Sequence, residues 1–353
     1  MLTVFTTEQS EEWDKIVSSF GNYDIYYMSG YVKAFELHGD GQALLFYYED
    51  KNTPKTRAIN VVMKRDIADD PHFQGKLEKE TYFDFATPYG YGGWLIEGTE
   101  TEALFAAYRT WCQKHAVVCE FVRYHPVLEN AEQNKAFYNV ISLGNTIAMD
   151  LASPEVIWAN IISKNRNMIR KAEKNGIRIY NGRYPEIYEK FRVIYNSTMD
   201  KDNAKDYYYF APEFYQSILN DMPEQAQVFY AVLPDDTVIA ASIMLAANGR
   251  LNYHLSGSLR EYASLAPTNL LLYKAALWGS ANGCKTLHLG GGVGSGEDSL
   301  FKFKRSFYRG DASYTFCIGK VIFAEETYQQ LKQMRAEEGA VSDTGFFPEY
   351  RAN

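Results

Sequence analysis

The order of hydrophobic patterns along the chain repeats once, and that repeat limits the folds open to it. In the first half, ALLFYYED (43–50) and AINVVMKRDI (58–67) are rich in β-branched and aromatic residues. The charged, turn-forming EDKNTPKTR separates them, which is a hairpin signal. KETYFDFATPYGYGG continues as a strand that runs into a Gly/Pro-punctuated loop. TEALFAAYRTWCQKH (101–115) has helical character, and VCEFVRYHP (118–126) is a strand closed by Pro126. The second half follows the same order. AQVFYAVLPDDTVIAASIMLAANG gives two strands around Pro234-Asp235-Asp236, and RLNYHLSGS gives a third. TNLLLYKAALWGSANG is a helix stopped by Gly283, and CKTLHLGGG is the final strand. Each predicted helix carries a tryptophan, Trp111 and Trp278. Sequence identity between the halves is negligible, so what repeats is the element order. The pattern predicts a tandem duplication of one α/β unit.

The length of 353 residues accommodates two such units. A hydrophobic fraction of 46% with 23% charged residues excludes a fully disordered chain. The longest strongly apolar run, Val238 to Ala247, is too short for the roughly 18–20 residues of a membrane-spanning helix. The opening MLTVFTTEQSEEWDK has neither a basic n-region nor an apolar h-region, so no signal peptide and a cytoplasmic location are expected. Cys112, Cys119, Cys284 and Cys317 form no CxxC and sit in apolar contexts, which predicts buried thiols. The six histidines show no HExxH or HxH spacing, and no metal site is expected. A net charge of −8 argues against a wholesale basic surface and against DNA as a partner, while leaving room for local basic patches.

One such patch lies between the halves. SPEVIWANIISKNRNMIRKAEKNG (153–176) reads as a helix capped by Ser153, opened by Pro154 and closed by Gly176. Ile157, Ile161, Met168 and Ala172 share one face. Arg166, Arg170 and Lys174 share the opposite face, with Lys164 and Lys171 on its shoulder. From Lys164 to Arg178 there are six basic residues and one acid, Glu173. Such a face is either simply solvated or an anion site for a phosphate-bearing donor.

FDFATPYGYGG (83–93), RYHP (123–126), KNRNMIRKAEKNG (164–176), HLSGS…LAPTNLLLYKAALWGSANGCKTLHLGGG (254–292) and LFKFKRSF (300–307) occur in this order. Together they resemble the FemAB-like family of peptidoglycan-bridge aminoacyltransferases, within the GNAT acyltransferase superfamily. The resemblance implies an α/β (α+β) fold of two tandem GNAT-like domains, each a mixed, mostly antiparallel sheet flanked by helices. The first domain would span 1–150 on the acceptor side and be completed by 320–353. The second, 151–319, would lie on the acyl-donor side. The resemblance further implies transfer of an amino acid from aminoacyl-tRNA to an amine of a peptidoglycan-precursor stem peptide. Other members of the superfamily take acyl groups from coenzyme A.

In such a reaction an amine attacks an activated carbonyl and passes through a tetrahedral oxyanion. No covalent enzyme nucleophile is needed, so the lack of a GxSxG is no objection. LFKFKRSFYR (300–309) supplies Lys302, Lys304, Arg305 and Arg309; if extended, it places Lys302 and Lys304 on one face. The resemblance assigns Phe303 and Lys304 to the acyl donor, with Lys304 on its phosphate or on the oxyanion. Donor binding is further expected from Lys164, Arg166, Arg170 and Arg305, and from Thr268 and Asn269 near a helix N-terminus after Pro267. GGGVGSGED (290–298) is neither a P-loop nor a dinucleotide fingerprint, because Glu297 and Asp298 stand where a P-loop needs Lys-Ser/Thr. The segment LREYASLAPTN lacks the glycine-rich turn that usually cradles the coenzyme A pyrophosphate, and this counts against that donor.

On the acceptor side, Tyr89 and Tyr91 sit on a glycine-flexible loop suited to sugar stacking and phosphate bonding. Arg123 fits a phosphate or carboxylate. His125 and His254 are alternative general bases, each also open to an ordinary structural role. The leading reading is a FemAB-like N-acyltransferase that uses aminoacyl-tRNA and has no tightly bound cofactor. The alternatives are an acetyl-CoA-dependent GNAT enzyme acting on an amino sugar or small molecule, and a non-catalytic carbohydrate- or peptide-binding module.

Overall fold

The computed structural model describes residues 1–50, 55–310, 314–337, 339 and 345–352. These residues divide into two compact units. Unit 1 comprises Met1–Leu143 with Phe316–Asn353, and unit 2 comprises Gly144–Thr315.

From its N-terminus the chain forms β1 (Leu2–Thr6), α1 (Ser10–Ser18), α2 (Ser29–His38), β2 (Gln42–Asp50), β3 (Thr56–Asp66), β4 (Phe83–Ala86), β5 (Leu95–Glu97), α3 (Glu102–Lys114), β6 (Val117–Arg123) and the short α4 (Ala131–Asn134). Next come β7 (Asn139–Asp150), α5 (Pro154–Asn160), α6 (Ser163–Lys174), β8 (Arg178–Gly182), α7 (Pro185–Lys201), α8 (Pro212–Asp221), β9 (Ala226–Val232), β10 (Val238–Ala247), β11 (Arg250–Ser258), α9 (Pro267–Ala281), β12 (Thr286–Gly290) and α10 (Ser299–Arg305). β13 (Tyr314–Ile322) and α11 (Glu325–Glu337) return to unit 1.

The sheet of unit 1 runs β1-β2-β3-β4-β6-β13, with β5 also on β3. The hairpin expected from EDKNTPKTR is present as an antiparallel β2–β3 ladder from Gln42↔Lys64 to Asp50↔Thr56. Residues 51–54 at its tip lie outside the described residues. β4 and β6 are parallel, as a helical crossover through α3 requires. The sheet of unit 2 runs β8-β9-β10-β11-β12-β7. Here too the early strands are antiparallel, and a single parallel pair, β11–β12, is connected through α9. The architecture is thus mixed α/β, with one GNAT-like topology in each unit.

The structure changes two readings of the sequence. The expected single helix 153–176 is two, because Ile161 and Ile162 are extended. The cause is tertiary: Ile162 N–H donates to the Ser306 carbonyl at 3.1 Å, and Arg309 N–H to that of Asn160 at 2.8 Å. In the segment at 300–309 the residues up to Arg305 form no strand but are helical, as α10. The Asp298 carboxylate caps it, accepting from Phe301 N–H at 2.8 Å.

The core of unit 2 gathers Ile157, Ile161, Ile169 and Ala172 with the α9 leucines and with Phe301 and Phe307. Met168 is only half-buried. Burial of the α5–α6 apolar stripe therefore leaves the basic stripe of α6 facing outward.

Candidate active site

The parallel pair at the centre of unit 2 is short. β11 and β12 are in register at Arg250↔Thr286, Leu251↔Leu287 and Asn252↔His288. Beyond that point β11 continues to Ser258 while β12 ends at Gly290, so the sheet splits between them. The β10–β11 ladder jumps from Met244↔Tyr253 to Ile243↔Leu255, which makes His254 the extra residue of a β-bulge on the edge of the split. A bulge leaves the local ladder incomplete and re-aims side chains, and bulges are frequent next to active sites.

Lys304 lies at the other edge of the split. Its Nζ donates to the Gly291 carbonyl, one residue past β12, at 2.7 Å. The side chain is 9% exposed, and burial pulls its ammonium down to about 8, with Asp298 opposing the shift. Lys304 therefore changes charge close to neutral pH. Asp298 organises the turn before α10, since its second oxygen accepts from Val293 N–H at 3.0 Å. Glycines of this turn and of the adjoining β7 serve close packing. A Cβ on Gly144 would meet the Ser295 carbonyl oxygen at 2.2 Å, and one on Gly292 would meet that of Gly296 at 2.3 Å.

A second face of α10 lines a cleft of about 570 Å³ with Asn145, Ile162, Glu297, Phe301, Lys302, Arg305, Ser306 and Arg309. Three cations and one carboxylate make it a net positive lining in a chain of net charge −8. Such a lining suits a ligand with more than one negative charge. Helix α6 begins beside this cleft. The Asn165 amide donates to Ser306 Oγ at 2.9 Å, and the Asn269 amide to Asn165 Oδ1 at 2.8 Å, tying α6, α9 and α10 together.

The residues expected to bind the donor therefore occupy different positions. Arg305 is in the cleft. Lys164 and Arg170 are on the exposed face of α6, and Arg166 is half-buried beside them. The guanidinium groups of Arg166 and Arg170 lie 5.9 and 5.1 Å from the Trp158 ring. Phe303 packs at the margin of the core, 5.3 Å from the Phe307 ring. Asn269 is engaged in the amide link, and Thr268 is half-buried in the first turn of α9. The preceding turn closes without glycine: Ala266 takes the left-handed conformation at φ 59°. Burial lowers the His254 imidazole to about 3, so it is a weak proton acceptor.

In unit 1, His125 is 1% exposed and its Nε2 lies 3.1 Å from Asp24 Oδ2, both side chains being fully buried. The rings of Tyr26 and Tyr91 enclose it at 5.4 and 5.2 Å. This is the geometry of a structural bridge, closed to an incoming amine. The tyrosine loop is likewise pinned rather than flexible. Tyr31 OH donates to the Tyr89 carbonyl, and Arg123 Nε to that of Gly90 at 3.0 Å. A Cβ on Gly90, at φ +100°, would meet the Tyr26 ring at 2.4 Å. Arg123 remains exposed, with its guanidinium 5.1 Å from the Phe316 ring.

Sequence reasoning passed over a polar group on β10–β11. Ser242 Oγ donates to Ser256 Oγ at 2.7 Å, and both hydroxyls hydrogen-bond Tyr253, whose phenol burial raises above its ordinary value. The available signal was two serines and a tyrosine inside otherwise apolar strands.

Residues 163–305, all within unit 2, match the family model of the acetyltransferase (GNAT) domain. The chain thus carries a GNAT domain, and the split sheet described above lies inside it. Among solved structures, FemX matches 94% of this chain and 100% of its own at 13% identity, with a TM-score of 0.68. The C-terminal domain of a putative lysylphosphatidylglycerol synthetase from Agrobacterium fabrum matches 94% and 97% at 12% identity, with a TM-score of 0.57. The L-PGS structure from Bacillus licheniformis matches 88% and 90% at 13% identity, with a TM-score of 0.54. The protein has a FemX-like GNAT fold. A search of curated proteins found no match.

Proposed function

We propose that the protein is an N-acyltransferase that moves an aminoacyl group from aminoacyl-tRNA to an amine of a peptidoglycan-precursor or related cell-wall substrate. The observation that carries this reading is the split between β11 and β12 with the Lys304 ammonium at its edge, inside the segment that matches the GNAT model. A carbonyl lodged in the split would develop negative charge during attack by an amine. Lys304, already desolvated and held by Gly291, is placed to stabilise that charge, and one such donor contributes on the order of 3–4 kcal/mol. Lys302, Arg305 and Arg309 would hold the phosphates of the donor, with Lys164, Arg166 and Arg170 extending the cationic surface along α6. On unit 1 we assign Arg123 and Tyr89 to an anionic acceptor.

The acetyltransferase description of the matching family favours a second reading, in which an acyl-CoA is the donor. The test is to incubate the protein with an amine-bearing stem peptide and either alanyl-tRNA or acetyl-CoA, then weigh the peptide. The proposal expects one added alanyl group. Acetyl addition alone selects the second reading, and no addition from either donor refutes acyl transfer.

A further inference from the structure

Acidic residues outnumber lysine and arginine in this chain, 44 to 36, and Arg57, Arg65, Arg192 and Arg351 each hold a carboxylate at 2.6–2.9 Å. Helix α6 departs from that pattern. Among the described residues, Lys164, Arg166, Arg170, Lys171 and Lys174 form no ion pair, and the one acid of the stretch, Glu173, is taken by Lys274 at 3.1 Å. Arg166 Nη2 and Arg170 Nη1 donate only to neutral oxygens of their own helix, Ser163 Oγ and Asn167 Oδ1, both at 3.2 Å. Like charges four residues apart on a helix repel, and an anion between them removes that cost.

Both guanidinium groups lie over a single ring, that of Trp158 on α5, at 5.9 and 5.1 Å. The ring is half-buried and packs against Tyr273 at 5.1 Å. This corner is fastened to the cationic cleft. Arg309 N–H bonds the carbonyl of Asn160, two residues after Trp158, and Ile162 N–H bonds that of Ser306. Ile162, Ser306 and Arg309 all line the cleft. A merely solvated helix face has no use for a tryptophan beneath its arginines. A nucleotide uses both, because its base offers a flat π-face and its phosphates offer charge. A ring lying under two guanidinium groups does not project as an anchor in a bilayer would.

We infer that Trp158, Arg166 and Arg170 form a nucleobase site: a base of the donor stacks on the Trp158–guanidinium surface, and the phosphates on either side of it take the two arginines. This rests on the acyl-transfer reading above. It holds for either donor, since the unpaired end of a tRNA and the adenosine end of coenzyme A each present a base between phosphates.

The test reads binding apart from turnover. The probes are an uncharged CCA-ended RNA minihelix with 2-aminopurine at one unpaired position at a time, the same RNA made abasic at that position, and coenzyme A. With the wild type, 2-aminopurine fluorescence should be quenched at one position, and removing that base should weaken binding roughly 10- to 100-fold. Trp158→Leu keeps an apolar side chain at the margin of the core. It should lose the quench and bind intact and abasic RNA alike. Arg166→Gln and Arg170→Gln should each weaken binding and reduce the slope of log Kd against log salt by about 0.7. Thermal transitions establish that each variant folds, and the abasic comparison on the wild type needs no variant at all. If coenzyme A binds in place of the RNA, a similar loss of its affinity in Trp158→Leu supports the site and selects the acyl-CoA donor. Binding of either probe that is indifferent to Trp158→Leu overturns the site and leaves acyl transfer standing. A wild type that binds neither probe, and sediments instead with phosphatidylglycerol vesicles or with nothing, overturns both the site and the nucleotide-bearing donor.

Discussion

Lys304 and Glu120 show how burial turns ordinary charges into pH-dependent ones. With its ammonium near 8 instead of the ordinary 10.5, Lys304 is cationic below that pH and neutral above it. A role on the oxyanion therefore predicts a kcat/KM that falls as pH rises through about 8. Lys304→Arg should move that limb upward, because a guanidinium keeps its charge. Lys304→Ala should lower turnover by about 10²–10³-fold without unfolding the protein. An alkaline limb that survives unchanged in Lys304→Ala would take Lys304 out of the chemistry. Glu120 on β6 is fully buried and accepts from Tyr138, Tyr108 and Asn60 at 2.8, 2.9 and 3.0 Å. Desolvation outweighs these bonds and raises its carboxyl to about 7. A carboxyl raised above its unfolded value of 4.5 favours the folded state while protonated. Its contribution is fully present below about 4.5 and is lost as pH rises through 7. Melting curves from pH 4.5 to 8 should show wild-type stability declining relative to Glu120→Gln. Parallel curves would show that Glu120 does not titrate in that range.

At the scale of elements, α10 decides the placement of the candidate site, and its seven residues depend on the Asp298 cap. Asp298→Ala should cost about 1 kcal/mol of stability and reduce turnover more than that loss explains, because the cap and the Lys304 anchor share one turn. Turnover unchanged in Asp298→Ala would separate the turn from the site. The cap was written in the sequence as Asp298 before Ser299, but alternating Phe and Lys at 301–304 imitates a strand. The break at Ile161–Ile162 had no such local sign, because it is fixed by backbone bonds to Ser306 and from Arg309, more than a hundred residues away. The strands and central helices of both units were legible because hydrophobic periodicity and turn residues are local. The cationic cleft was only half legible. The four cations of 302–309 were visible, yet only helical geometry sends Lys302 and Arg305 to one face and buries Lys304 on another, while Arg309, beyond the helix, is brought to the same cleft by its backbone bond to Asn160.

At the scale of the whole molecule, the two sheets have one strand order, but each completes it from a different part of the chain. Unit 2 takes β7, which precedes its other strands, while unit 1 takes β13, which follows all of unit 2. The return to unit 1 is fastened by Arg351, whose guanidinium bonds the buried Asp84 at 2.6 Å and Asp70 at 2.9 Å. Tyr350 OH adds a bond to Asp84 at 2.9 Å. Periodicity cannot reveal partners 267 residues apart. Arg351→Ala strips one of the two arginines that compensate Asp84 and should destabilise unit 1 by roughly 3 kcal/mol, read as a lower thermal transition. An unchanged transition would mean that Arg65 alone compensates Asp84.

The most direct measurement is a crystal structure of the protein with a non-hydrolysable alanyl-RNA minihelix or acyl-CoA analogue. The account predicts the analogue's carbonyl in the split between β11 and β12, within hydrogen-bond reach of the Lys304 ammonium, with phosphates against Lys302, Arg305 or Arg309. An analogue bound outside unit 2, with the split empty, would contradict it.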